Sequence, residues 1–186
     1  FIRVPPDKAI YSNLIPLDSL NVSIRELDLV DIEGKPYYWI NNNRLYNAKT
    51  GNIKNRITEK EAISIAQENL IEELILDHVE YLTETNSHHE YRGQSLPAYA
   101  IHYKHKDLLV AYVDAKSGIF KKVRHQSWRW FDFLWMGHTM DYQGRDNFNN
   151  LLLRTFSLFG VFTVLSGFVL WGTSSTTIIK FLNRNS

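Results

Sequence analysis

Val110-Ala111-Tyr112-Val113-Asp114-Ala115-Lys116-Ser117-Gly118-Ile119-Phe120 and Leu45-Tyr46-Asn47-Ala48-Lys49-Thr50-Gly51-Asn52-Ile53 share one five-residue pattern, Asn/Asp-Ala-Lys-Thr/Ser-Gly. Each pattern follows a run of strand-forming residues. Each is also preceded by a second run that follows a proline, Lys35-Pro36-Tyr37-Tyr38-Trp39-Ile40 in one case and Leu96-Pro97-Ala98-Tyr99-Ala100-Ile101-His102-Tyr103 in the other. Aromatic and β-branched runs bounded by turn formers predict β-hairpins. The Asn47 or Asp114 side chain can bond the backbone of its own turn, and Gly51 or Gly118 can take positive φ. The shared turn predicts an internal repeat, with a longer hairpin in the second copy. Two unrelated hairpins with ordinary turns are the plainer alternative.

Between the hairpins, Thr58-Glu59-Lys60-Glu61 has capping-box spacing, and Ala62, Ile63, Ala66 and Leu70 then share one face. This predicts a helix laid against a sheet. Ser23–Ile32 and His78–Thr85 are further strand candidates, and Asn86–Gly93 reads as an exposed polar loop. The fold class is therefore α+β, a helix packed on antiparallel hairpins, in two related units.

The 186 residues carry 21 basic and 20 acidic side chains, interspersed, for a net charge of +1. No face is basic enough to predict nucleic-acid binding. Hydrophobic content of 44% and charged content of 22% are those of a folded chain. With no cysteine, disulfide and thiol chemistry are excluded.

A second decisive stretch is Thr155–Ile179, TFSLFGVFTVLSGFVLWGTSSTTII, bracketed by Arg154 and Lys180. It is uncharged and long enough as a helix to cross a hydrocarbon core of about 30 Å. Before it, a helix is expected from near Ser127 to about Tyr142, with Trp128, Phe131, Trp135 and His138 on one face and Arg129 beside Asp132 on the other. Four of the five Trp fall between Trp128 and Trp171, which suits a helix lying at a membrane interface. The expected organisation is a first hairpin unit over 1–56, a second unit over 57–126, an interface helix and linker over 127–150, a membrane helix over 151–180 and a short basic tail over 181–186.

These residues resemble a known family. The unit from Ile57-Thr58-Glu59-Lys60-Glu61-Ala62 to Ala111-Tyr112-Val113-Asp114-Ala115-Lys116-Ser117-Gly118 resembles the PepSY domain, a small bacterial module with a helix near Thr-x-x-Glu-Ala and a hairpin ending Tyr-x-Asp-x-x-Thr/Ser-Gly. The string Trp128-Arg129-Trp130-Phe131-Asp132-Phe133-Leu134-Trp135-Met136-Gly137-His138-Thr139-Met140-Asp141-Tyr142, with Arg145-Asp146-Asn147-Phe148-Asn149, is similar to the membrane-proximal motif of PepSY-associated transmembrane proteins. The resemblance implies a bacterial inner-membrane protein with its domain on the periplasmic side, and a further membrane helix upstream of Phe1. It also implies a non-catalytic module that binds or modulates partner proteins, sometimes proteases. A related multi-span subgroup holds haem and reduces ferric siderophores.

His138 is the one candidate cofactor residue, since an imidazole near a membrane can be an axial haem ligand. Asp141 could orient its ring, and the plainer role is an interface histidine bonded to Asp141 or to a backbone carbonyl. His88-His89-Glu90 and His102/His105 do not converge as extended-chain neighbours and predict no metal site. Ser95, Ser117 and Ser127 lack a nucleophile elbow, and the glycines form no phosphate loop. Glu72-Glu73 reads as an exposed helix end.

In the membrane stretch, Ser157, Gly160, Thr163, Ser166 and Gly167 are small enough to let another helix approach. Lys180 and Arg184 follow the span while Arg145 and Arg154 precede it, so the charge bias is balanced and orientation rests on the resemblance. The leading expectation is a non-enzymatic, membrane-anchored accessory or regulatory subunit. It would meet the lipid bilayer and an integral-membrane partner through Ser157, Gly160, Thr163, Gly167, Trp128, Phe131 and Trp135. Two rivals stand beside it, a haem-linked redox component using His138 and a periplasmic protease modulator.

Overall fold

The computed structural model describes residues 2–3, 10–71, 74–86, 88–142 and 147–174. Glu72-Glu73, Arg145-Asp146, the end of the apolar stretch and the basic tail with Lys180 and Arg184 lie outside the described residues. The chain divides into two compact units, Phe1–Trp130 and Phe131–Ser186.

The first unit is α+β. Strands β1 (Leu27–Ile32), β2 (Lys35–Ile40), β3 (Arg44–Asn47) and β4 (Ile53–Lys54) form one antiparallel sheet in sequence order. Helix α1 (Glu59–Asn69) follows, and then β5 (Leu76–Leu82), β6 (Ala98–Tyr103), β7 (Val110–Asp114) and β8 (Phe120–Arg124) form a second sheet of the same kind. Helix α2 (Gln126–Thr139) begins in this unit and ends in the next, which holds α3 (Leu151–Ser174).

The two sheets repeat one hydrogen-bond scheme. Asn47 Oδ1 accepts from the N–H groups of Lys49 and Thr50 at 2.9 and 3.0 Å, and Asp114 Oδ1 accepts from Lys116 and Ser117 at 2.8 Å each. Gly51 and Gly118 close the turns at φ +76 and +71. Ala48 N–H donates to the Pro36 carbonyl, as Ala115 N–H does to that of Pro97. Such side-chain-to-backbone bonding is why Asn or Asp opens the turn and Gly ends it. The longer second hairpin arises between β6 and β7, where residues 104–109 form the connection.

Thr58 caps α1 as its spacing predicts. Its hydroxyl accepts from Glu61 N–H, and the Glu61 carboxylate accepts from Thr58 N–H at 2.7 Å. The helix buries Ala62, Ile65 and Ala66 against β6, β7 and β8. One core cluster joins both sheets, with Trp39 and Leu45 from the first, Ile101, Ala111 and Val113 from the second, and Ile57 between them. Each fully buried Leu or Ile there contributes roughly 1.5–3 kcal/mol.

Both sheets are also covered on their other face. Leu14, Ile15, Leu17, Leu20, Val22 and Ile24 pack on Tyr38, Ile40 and Tyr46 of the first. Tyr91 and Leu96 pack with Ala98, Ala100, Val110 and Tyr112 of the second. Double covering explains why β7 is buried at every position rather than at alternate ones.

Several expectations are corrected. Asn86–Gly93 is not simply an exposed loop, because it folds back over the second sheet and leaves Tyr91 fully buried. Strand β1 starts at Leu27 rather than Ser23, since the Asn41 side chain holds the preceding segment by accepting from Arg25 and Glu26 N–H and donating to the Ser23 carbonyl. Strand β8 was not expected at all. Helix α2 stops at Thr139, where Met140 takes φ +52, instead of reaching Tyr142. Asp132 is buried rather than open to solvent, and the Arg129 guanidinium grips Glu90.

Candidate functional site: the apolar helix and its lead-in

Helix α3 has 24 residues, and at about 1.5 Å per residue it is roughly 36 Å long. It is the one helix among the described residues long and apolar enough to cross a membrane. None of its residues is buried, and Phe156, Phe159, Phe162, Val164, Leu165 and Phe168 together expose apolar surface around the whole circumference. A helix that is hydrophobic all round is made for an apolar surround rather than for one wetted face.

Its hydroxyls are satisfied within the helix. Ser157 Oγ donates to the Leu153 carbonyl at 2.8 Å, Thr163 Oγ1 to Phe159 at 2.9 Å and Ser166 Oγ to Thr163 at 2.8 Å. The expected contact residues Ser157, Gly160, Thr163 and Gly167 thus present small surfaces without unmet polar demand. A Cβ built at Gly160 or Gly167 would meet nothing within 4 Å. Val164, Gly167, Phe168 and Trp171 outline a shallow notch on this side.

The lead-in is fixed by one asparagine. Asn150 caps α3 by accepting from Leu153 N–H at 2.8 Å, and its amide donates to the carbonyls of Thr139 and Asn147 at 2.8 and 2.9 Å. The end of α2 and the start of α3 are therefore held by the same side chain. Arg154 donates to Asn149 Oδ1 at 2.8 Å. Phe131 stacks on Trp135 at 6.1 Å, and Phe148 meets Trp135 edge-on at 5.8 Å. Around these, Phe131, Phe133 and Leu134 remain exposed.

His138 is exposed and lies 6.2 Å from the Trp135 ring. Asp141 accepts from Asn147 N–H at 2.9 Å and is buried, so it has a structural use in the turn. His138 is the only histidine after His125, and this unit therefore offers a single imidazole. A haem held there by two imidazoles would need the second from elsewhere.

Of the face expected on α2, Phe131, Trp135 and His138 do run together, whereas Trp128 carries the Arg124 guanidinium 3.6 Å above its ring. Among the described residues, no group of three metal-ligating side chains comes together. Ser117 is buried and accepts from Ile119 N–H, and Ser95 bonds Asp114. Sequence reading missed the stacked pair His78–His102, 4.2 Å apart across β5 and β6, and the Arg129–Glu90 ion pair. The first was available from strand register once β5 and β6 were paired. The second spans a long loop and left no local signal. No family model, curated protein or solved structure matches the chain.

Proposed function

We propose that this chain is a non-enzymatic, membrane-anchored accessory subunit of the PepSY-like kind, set in a bacterial inner membrane with its α+β unit on the periplasmic side. Helix α3 crosses the bilayer and packs through Gly160, Thr163 and Gly167 against a helix of an integral-membrane partner. The observation that carries this reading is α3 itself, which is apolar on every side, satisfied in its own hydroxyls and open on one side at Gly160 and Gly167. In lipid the driving force between helices is close packing rather than hydrophobicity, and glycine permits that approach. The aromatic side chains of α2 supply the interface-level anchors such a helix needs. The periplasmic placement draws on the resemblance described above.

The test is native purification in mild detergent with every co-eluting chain identified. Wild-type protein should run as a stable larger particle, and Gly160→Ile/Gly167→Ile should release the partner while staying in the membrane fraction. Retention of the full complex by that double variant would count against assembly through α3.

A further inference from the structure

Lys122 and Arg124 stand two residues apart on β8, on the face opposite buried Val123. They share that face with their strand partners Tyr112 and Val110, and Tyr112 stacks on Tyr91 at 4.9 Å. Lys122 Nζ lies 5.3 Å above the Tyr91 ring, and the Arg124 guanidinium lies over Trp128. Arg129 approaches from α2, but its charge is already matched. Its Nε and Nη2 reach both oxygens of Glu90 at 2.5 and 3.1 Å, and its Nη1 donates to the Leu108 carbonyl.

Among the described residues, Glu90 is the one carboxylate whose charge raises both Lys122 and Arg124, while the positive charge of Arg92 acts against both. Burial first, and then repulsion from Arg124 and Arg92, push the Lys122 ammonium down to about 8. The Nε of Arg124 is buried without a hydrogen-bond partner among the described residues. Half-buried cations with a surplus of positive charge carry a free-energy penalty that a bound anion lowers.

We propose that Lys122 and Arg124 form a binding site for a phosphate-type oxyanion, walled by Tyr91 and Trp128. Trp128 lies against one flat side of the guanidinium, and with Nε buried the Nη1–Nη2 edge is the one that faces a ligand. That edge is a fork of N–H donors matched to two oxygens of a phosphoryl group, and Lys122 supplies a point charge to a third. A phosphoryl group also brings more negative charge than a single carboxylate against the surplus. The ligand has two chemical sources, the headgroup of an anionic lipid or soluble phosphate. The site does not depend on the helix-partner reading.

The test uses the full chain in neutral-detergent micelles. Calorimetry with inorganic phosphate reports the soluble source, and native mass spectrometry with added phosphatidylglycerol reports the lipid source. Wild type should bind at least one of them, and Lys122→Gln/Arg124→Gln should weaken that binding by about tenfold or more. Lys121→Gln, which removes an exposed charge from the same strand, should leave it unchanged. Phosphate binding assigns the soluble source, and retention of phosphatidylglycerol alone assigns the lipid. Absence of both in wild type, or equal binding by the double variant, overturns the proposal. Circular dichroism checks folding. If the double variant does not fold, Arg124→Lys carries the test, because it keeps the charge and removes the fork; unchanged binding there overturns the proposal as well.

Discussion

Ile57 donates its backbone N–H to the carbonyl oxygen of Ala115 at 2.8 Å, tying the entry of α1 to the turn that closes β7. Ile15 stands in the same relation to Ala48, at 2.9 Å. The Tyr99 hydroxyl donates back to the Ile57 carbonyl at 3.2 Å, and that of Tyr38 to the Ile15 carbonyl at 3.1 Å. Both halves of the first unit therefore lock an incoming segment onto their turn by the same pair of bonds. In the second half that segment continues into α1, and in the first it makes only the 3₁₀ turn Leu17–Leu20.

Tyr99→Phe and Tyr38→Phe should each destabilise the protein, by about 1 kcal/mol, because a carbonyl loses its donor without a change in packing. The effect should be larger for Tyr99, whose bond is fully buried. Denaturant unfolding of the full chain in neutral detergent, followed by near-ultraviolet circular dichroism, measures both. Equal stability of Tyr99→Phe and wild type would remove the lock from the account.

Gly118→Ala should cost more than Gly34→Ala, although both glycines hold positive φ. The added methyl at Gly118 would sit 3.1 Å from Ile32 and 3.2 Å from Ile57, whereas at Gly34 it meets nothing within 4 Å. The backbone alone costs about 1 kcal/mol, and crowding at Gly118 should bring the total to about 2–4 kcal/mol. The comparison of the two unfolding midpoints isolates the packing contribution.

The turn pattern Asn/Asp-Ala-Lys-Thr/Ser-Gly, the Thr58–Glu61 cap and the apolar stretch were legible because each is local chemistry. Side chain and backbone partner lie within four residues, or one property runs unbroken for a helix length. Strand β8 was not legible, since Phe120-Lys121-Lys122-Val123-Arg124 is mostly charged and becomes a strand only by pairing with β7. Tyr91 was lost in a polar loop for the same reason, as its ring is buried by a stack on Tyr112 that local sequence does not encode. The small residues of α3 could be read as a stripe.

Acid should weaken the cap of α1 through Glu61. Burial raises its pKa, but the Lys54 hydrogen bond and those from Thr58 outweigh burial and hold it below the ordinary value of 4.5. A depressed carboxylate stabilises the fold above its unfolded value, and that contribution is lost as pH falls through the folded value. Unfolding measured from neutral pH to below about 4 should show this loss in wild type and not in Glu61→Gln.

His102 should produce a second, milder loss at higher pH. Burial first, and then the charge of His78, hold its pKa below 6.5, with Glu80 opposing in part. Near and below 6.5 the unfolded chain binds a proton the folded protein resists, so stability falls as pH drops from neutral through that value. His102→Phe keeps a ring against His78 and should flatten the curve over that window. A wild-type curve that is already flat there would contradict the assignment.

The most direct test of the central claim is photo-crosslinking from α3 in native membranes, with a photoreactive residue placed at Val164 or at Val169. By helical spacing Val164 shares the face of Gly160 and Gly167, and Val169 lies on the opposite side. The account predicts one discrete protein adduct from position 164, lost in Gly160→Ile/Gly167→Ile, and only lipid adducts from position 169. The same pattern from both positions, or an adduct at 164 that survives the glycine substitutions, would contradict it.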